Sequence, residues 1–143
     1  MIAYIDSSVL LRVVLTEDHP LKEWDDLEGG IASSLLTVEG YRTLDQLWHR
    51  DELTDSELAE KRVLFTTFLP NLEIQPLDQR VLDLAAQPLP TSLATLDAIH
   101  LATAMLYRAS QPSDQRPIYF ATHDVALARA AKAMHFDVIG VTV

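Results

Sequence analysis

The chain has 143 residues, 48% of them hydrophobic and 22% charged, with 11 Lys and Arg against 21 Asp and Glu for a net charge of −10. This composition excludes a disordered chain and predicts one domain over residues 1–143, and no apolar run reaches the roughly 20 residues that span a bilayer, so no membrane partner is expected. The lack of cysteine removes disulfides, thiolate metal sites and cysteine nucleophiles, which fits a cytoplasmic protein, while the acidic balance argues against tight nonspecific binding of nucleic acid without excluding catalysis on it.

The first six residues lack the basic start of a secretory signal, and Ile2–Ile5 reads as a buried strand. A helix begins near Ser7-Ser8 and carries Val9-Leu10-Leu11-Arg12-Val13-Val14-Leu15. Residues 20–27 open on Pro20 and run into Gly29-Gly30, which predicts a short helix stopped by those glycines. Ile31-Ala32-Ser33 reads as a short strand, and Ser34 as the cap of a helix whose repeat is set by Leu36, Glu39-Gly40, Thr43, Leu44 and Leu47. Thr54-Asp55-Ser56-Glu57 is a capping box for a helix running from about Asp55 to Phe68 and ended by Pro70. Leu72–Gln75 alternates like a strand, and residues 79–86 form a short helix capped by Asp78. Residues 96–109, apolar at 96, 99, 102 and 106, form a longer helix. Ile118–Ala121 is a second clear buried strand, residues 125–134 an alanine-rich helix, and residues 138–143 a closing strand. Strands alternating with helices predict a three-layer α/β/α fold on a parallel sheet, with ligands bound outside the carboxyl ends of its strands.

Four carboxylates stand in apolar surroundings where a strand ends or a helix begins: Asp6, Glu39, Asp97 and Asp124. Such an acid must be paired, protonated, or hold a cation. Hard oxygen ligands at one end of a parallel sheet suit Mg²⁺ or Mn²⁺, which lower the pKa of bound water and neutralise charge in phosphodiester hydrolysis. Asp6, Asp97 and Asp124 are the candidate metal ligands, and Glu39 is either a ligand or an acceptor orienting water. Taken alone, Asp97 also reads as a first-turn acid favoured by the helix dipole after Thr95 as cap.

Ser7 and Thr122 flank the acids with hydroxyls that suit either a carboxylate or phosphate partner or a plain turn role. His123 stands within reach of substrate, or faces solvent in a turn. His100, three residues after Asp97, reads as packing or a hydrogen bond to a ligand rather than as a ligand itself. Arg42, three residues after Glu39, either meets a phosphate or pairs with a nearby acid. Arg12 reads as an exposed helix residue, Arg129 and Lys132 as a solvated helix face, and Tyr41 and Trp48 with Leu44 as a packing or dimer surface.

The strings Tyr4-Ile5-Asp6-Ser7-Ser8-Val9-Leu10-Leu11, Ser33-Ser34-Leu35-Leu36-Thr37-Val38-Glu39, Leu96-Asp97-Ala98-Ile99-His100-Leu101-Ala102-Thr103-Ala104 and Thr122-His123-Asp124 occur in the order and spacing of the PIN domain. The chain resembles that family as a whole, and in size the VapC toxins of VapBC toxin–antitoxin pairs. The resemblance implies a five-stranded parallel sheet ordered 3-2-1-4-5 and Mg²⁺- or Mn²⁺-dependent endonucleolytic cleavage of RNA. It also implies a homodimer restrained by an antitoxin, whose inhibitory segment the acidic cleft predicts to be basic. A PIN nuclease of RNA processing fits the same residues. A PIN-fold binding module without turnover predicts the loss of an acid, and all four are present. A receiver or phosphatase domain is disfavoured, because Ser7-Ser8 follows Asp6 where a second acid would stand and the only nearby lysine, Lys132, falls in a helix.

Overall fold

Continuous apolar strings bury best as strands covered on both faces, and β1 (Ile2–Ile5) and β4 (Ile118–Ala121) pair in parallel at the centre of the molecule. The computed structural model describes residues 1–114 and 116–141. β2 (Gly29–Ser33), β3 (Leu72–Gln75) and β5 (Asp137–Ile139) complete a five-stranded, all-parallel sheet in the order β3-β2-β1-β4-β5. This is the predicted order, and it places the reversal of strand order between β1 and β4.

The two-residue period of the strands assigns side chains to two cores. Ala3, Ile5, Ala32 and Ala121 face α1 (Ser7–Val14), α2 (Ser34–His49) and α3 (Asp55–Phe68) through Val9, Leu10, Leu36, Leu44 and Phe65. Tyr4, Ile31 and Phe120 face α5 (Thr95–Ser110) and α6 (Val125–Ala133) through Leu101, Ala104, Leu127, Ala130 and Ala131. α4 (Gln79–Ala85) rests on α5, with Val81 against Ile99 and Ala102. The predicted capping box is present: Thr54 accepts from the Glu57 N–H, and Glu57 accepts from the Thr54 N–H. α2 and α3 meet closely at Gly40, where a Cβ would overlap the Phe65 ring. Tyr41 packs edge-on against Phe65 at 4.9 Å, and the Trp48 indole donates to Asp55, so both aromatics serve the α2–α3 contact.

Several boundaries differ from the sequence expectations. Residues 20–27 form no α-helix; only a 3-10 turn, Trp24–Asp26, appears there. Leu21, Trp24 and Leu27 pack on the core from a three-residue spacing that suits such a turn. Gly29 and Gly30 do not stop a helix but open β2, and a Cβ on Gly30 would lie 2.7 Å from Leu72 and 3.2 Å from Ile5. Ser33, not Ser34, caps α2, because its backbone stays extended as the end of β2 while its hydroxyl accepts from the Leu35 N–H. Ala94 is the N-cap of α5 and Thr95 its first helical residue, so no side chain caps that helix. β5 is shorter than the predicted closing strand, whose last two residues, Thr142 and Val143, lie outside the described residues.

Candidate active site

Asp6 is the residue at which β1 turns into α1. Its N–H still donates to Ala121 O of β4, while its extended backbone caps α1, so its carboxylate is held at the carboxyl edge of the sheet and is only 4% exposed. Asp6 Oδ2 accepts from Ser8 Oγ at 2.7 Å and from Thr122 Oγ1 at 2.9 Å. These hydroxyls also work outward: Ser8 Oγ accepts from the His123 N–H and Thr122 Oγ1 from the Asp124 N–H, at 3.1 and 3.0 Å. The turn after β1 and the turn after β4 are thereby laced together around one carboxylate.

The other acids arrive from three different helices. Asp124 caps α6 through Oδ1, which accepts from the Leu127 N–H at 2.8 Å, and its side chain stands at the exposed rim. Asp97, third residue of α5, is partly exposed and makes no side-chain hydrogen bond among the described residues. Glu39 projects from α2, and its Oε1 accepts from His100 Nε2 of α5 at 2.5 Å. His100 Nε2 is also 3.7 Å from Asp6 Oδ1, and His100 Nδ1 is 2.8 Å from the Tyr4 hydroxyl.

The electrostatics follow from this crowding. Burial, then the charges of Asp124 and Asp6, and with them Glu39, push the Asp97 carboxyl up to about 6 against the opposing pull of His100. For His100, burial disfavours the charged ring, but the Glu39 hydrogen bond and the charges of Asp6, Glu39 and Asp97 outweigh it and raise its pKa above the ordinary value. Burial and Asp6 raise the Tyr4 phenol well above its usual range, so it keeps its proton.

Not every residue singled out by sequence joins this cluster. Ser7 makes no side-chain hydrogen bond among the described residues, and Ser8 takes the place next to Asp6. Arg42 turns from Glu39 to pair with Asp45 at 2.8 Å. His123 turns toward the end of β5, where its Nδ1–H donates to Gly140 O at 3.0 Å, and its buried Nε2 has no hydrogen-bond partner among the described residues. Arg12 ties down the loop after α1, donating to His19 O at 3.0 Å. Sequence reasoning missed Ser8 and Tyr4. The signal for Ser8 is a hydroxyl two residues beyond a helix-capping acid; Tyr4, inside an apolar strand, gives none.

Among the described residues no three histidine, aspartate or glutamate side chains are gathered tightly enough to enclose an ion unaided. Mg²⁺ demands little enclosure, since it keeps several waters and takes one or two carboxylates. The donor chemistry fits such a cation: the acids offer hard oxygens, and burial together with the charges of Asp124 and Asp6 disfavours an ionised Asp97 that bound positive charge would favour.

The PIN domain family model matches residues 3–133. A relative, ribonuclease VapC46 of Mycobacterium tuberculosis, is 35% identical over 104 residues, covering 71% of this chain and 72% of the relative. A toxin–antitoxin complex from Klebsiella pneumoniae contains a chain of TM-score 0.64 at 18% identity, covering 98% of this chain and 96% of that one. VapBC2 of Rickettsia felis, bound to a DNA fragment from its promoter, gives 0.66 at 12% identity, with coverage of 96% and 97%. FitAcB of Neisseria gonorrhoeae gives 0.63 at 20%, with 96% of each chain covered. At these identities the solved structures speak to the fold.

Proposed function

The chain belongs to the PIN domain family, and from that premise we propose that it is a Mg²⁺- or Mn²⁺-dependent endoribonuclease, a single PIN domain over residues 1–143 acting as the toxin of a toxin–antitoxin pair. The observation that carries the reading is the meeting of acids from four separate elements at the strand-order reversal, where open α/β sheets bind ligands. Asp6, Asp97 and Asp124 are assigned to hold the cation, one or two of them directly and the rest through its waters. When bound, it would supply charge neutralisation at the phosphoryl oxygens and an acidified water. Glu39 Oε2, the oxygen not engaged with His100, is the acceptor assigned to the proton of the attacking water. Ser8 and Thr122 hold Asp6 by Oδ2 and leave Oδ1 on the side of His100, 3.7 Å from its Nε2. Ser7, His123 and Arg42 remain candidates for contact with the RNA backbone, Arg42 only by leaving Asp45.

The acid cluster also fits an antitoxin whose basic segment lies across it, a bidentate arginine being the best match to paired carboxylate oxygens. The working form is proposed to be a cytoplasmic homodimer. The test is cleavage of total RNA with Mg²⁺, Mn²⁺ or EDTA by the parent and by Asp6→Asn. We expect cleavage with either metal, none in EDTA, and none by Asp6→Asn at unchanged thermal stability. Cleavage at the parent rate by the variant would remove Asp6 from the site, and no cleavage by the parent under any condition would overturn the nuclease reading.

A further inference from the structure

We propose that Tyr4 and His100 are a buried pair of positioning residues that fix the Glu39 carboxylate in the orientation its reaction requires; the proposal rests on the nuclease reading above. His100 is 1% exposed on the inner face of α5, and both of its ring nitrogens are engaged. Its two partners lie 96 and 61 residues away in sequence, so one imidazole joins β1, α5 and α2 at the edge where the acids meet.

The arrangement is directional. Glu39 is a carboxylate and can only accept, so His100 Nε2 carries the proton between them. A phenol hydroxyl both donates and accepts, so Tyr4 complements Nδ1 whether or not that nitrogen is protonated, and the Nε2–H points at Glu39 in either case. Tyr4 cannot swing away. It is 0% exposed and stacked on Phe120, with ring centroids 5.1 Å apart and planes 23° apart. A rigid aromatic core thus sets the ring plane, and the ring sets one oxygen of a glutamate whose free side chain has three rotatable bonds. Glu39 Oε2 makes no hydrogen bond among the described residues and is left to the reaction. A buried histidine that only needed satisfying could have been paired with main-chain carbonyls; here its donor goes to the partly exposed acid of the site.

The experiment compares the parent with Tyr4→Phe, His100→Gln, His100→Leu, Asp97→Asn and, for the NMR, Glu39→Gln. It measures Mg²⁺-dependent cleavage of a mixed-sequence fluorophore–quencher RNA, calorimetric Mn²⁺ affinity, and the His100 ring N–H by nitrogen-edited NMR. Removing a partner that orients a reacting group typically costs about 10–100-fold, so His100→Leu should lose that much in kcat with KM and Mn²⁺ affinity within about twofold of the parent. His100→Gln, whose amide can still donate to Glu39, should recover part of the loss, and Tyr4→Phe should lose about 10-fold. The Nε2–H resonance should be present in the parent and should move in Glu39→Gln. Tyr4→Phe keeps the ring that packs on Phe120, so it remains informative if His100→Leu fails to fold. Parent kcat in Tyr4→Phe and His100→Gln, with Asp97→Asn inactive, overturns the positioning role alone, as does an Nε2 without a proton. Parent-rate cleavage by Asp97→Asn removes Asp97 from the site, whereas no cleavage by the parent overturns the nuclease reading and the positioning role with it.

Discussion

Replacing Asp97 with Asn should stabilise the metal-free protein, and should do so only above a defined pH. The Asp97 carboxyl is raised from 3.8 to about 6 in the folded chain, first by burial and then by Asp124 and Asp6. The folded protein therefore binds this proton more tightly than the unfolded chain does. The resulting stabilisation is complete below about pH 4 and is lost as pH rises through about 6. Taken at face value the displacement is worth ~3 kcal/mol above pH 7. Asp97 is partly exposed, and solvent screening reduces this to ~1–2 kcal/mol. Asparagine escapes the penalty but gives up the interaction of a first-turn acid with the helix dipole, ~0.3–1 kcal/mol. The net expectation is a gain of about 1 kcal/mol in Asp97→Asn above pH 7, shrinking to nothing or a small loss near pH 4. Urea unfolding in EDTA across that range measures it, and added Mg²⁺ should stabilise the parent more than the variant. A stability difference that stays constant from about pH 4 to 7.5 would refute the argument that burial, with the neighbouring charges, raises this carboxyl.

Two further substitutions test the frame around the site. In Gly40→Ala the new methyl would overlap Cζ and Cε2 of the Phe65 ring, with Cε1 next nearest at 2.8 Å, and Phe65 is 0% exposed. We expect a loss of ~1–3 kcal/mol in urea unfolding, with a smaller loss in a Phe65→Leu background. Thr122→Val removes the donor to Asp6 Oδ2 and leaves the Asp124 N–H without its acceptor. It should cost ~1–3 kcal/mol in thermal unfolding and lower RNA cleavage about 10-fold.

What the sequence made legible follows the physics of each signal. Apolar runs such as Ile118–Ala121 have one good fate, a strand buried on both faces, and a capping box states where its helix starts. Gly29-Gly30 misleads because glycine marks helix ends in general, whereas here Gly30 leaves room for the side chains of Leu72 and Ile5, neighbours that only the folded sheet supplies. The four acids stand out because charge beside core residues demands an explanation. Their hydrogen-bond partners do not, since Ser8 competes with the adjacent Ser7 for one role and helix phase decides between them. Tyr4 is the clearest case: within Ile2–Ile5 it looks like core, and its hydroxyl gains meaning only from a histidine 96 residues later.

The bond between Thr122 and Asp6 spans 116 positions of the chain, and β1 lies between β2 and β4. Three of the four acids, Asp6, Glu39 and Asp97, therefore leave the ribosome before the strand that organises them. A growing or truncated chain lacking β4 carries those acids but has no hydroxyl from Thr122, no turn before α6 and no Asp124 to assemble them. Chemistry that depends on this edge is withheld until the N-terminal strand has paired with one made long after it, so the cluster of acids is completed only near the end of synthesis.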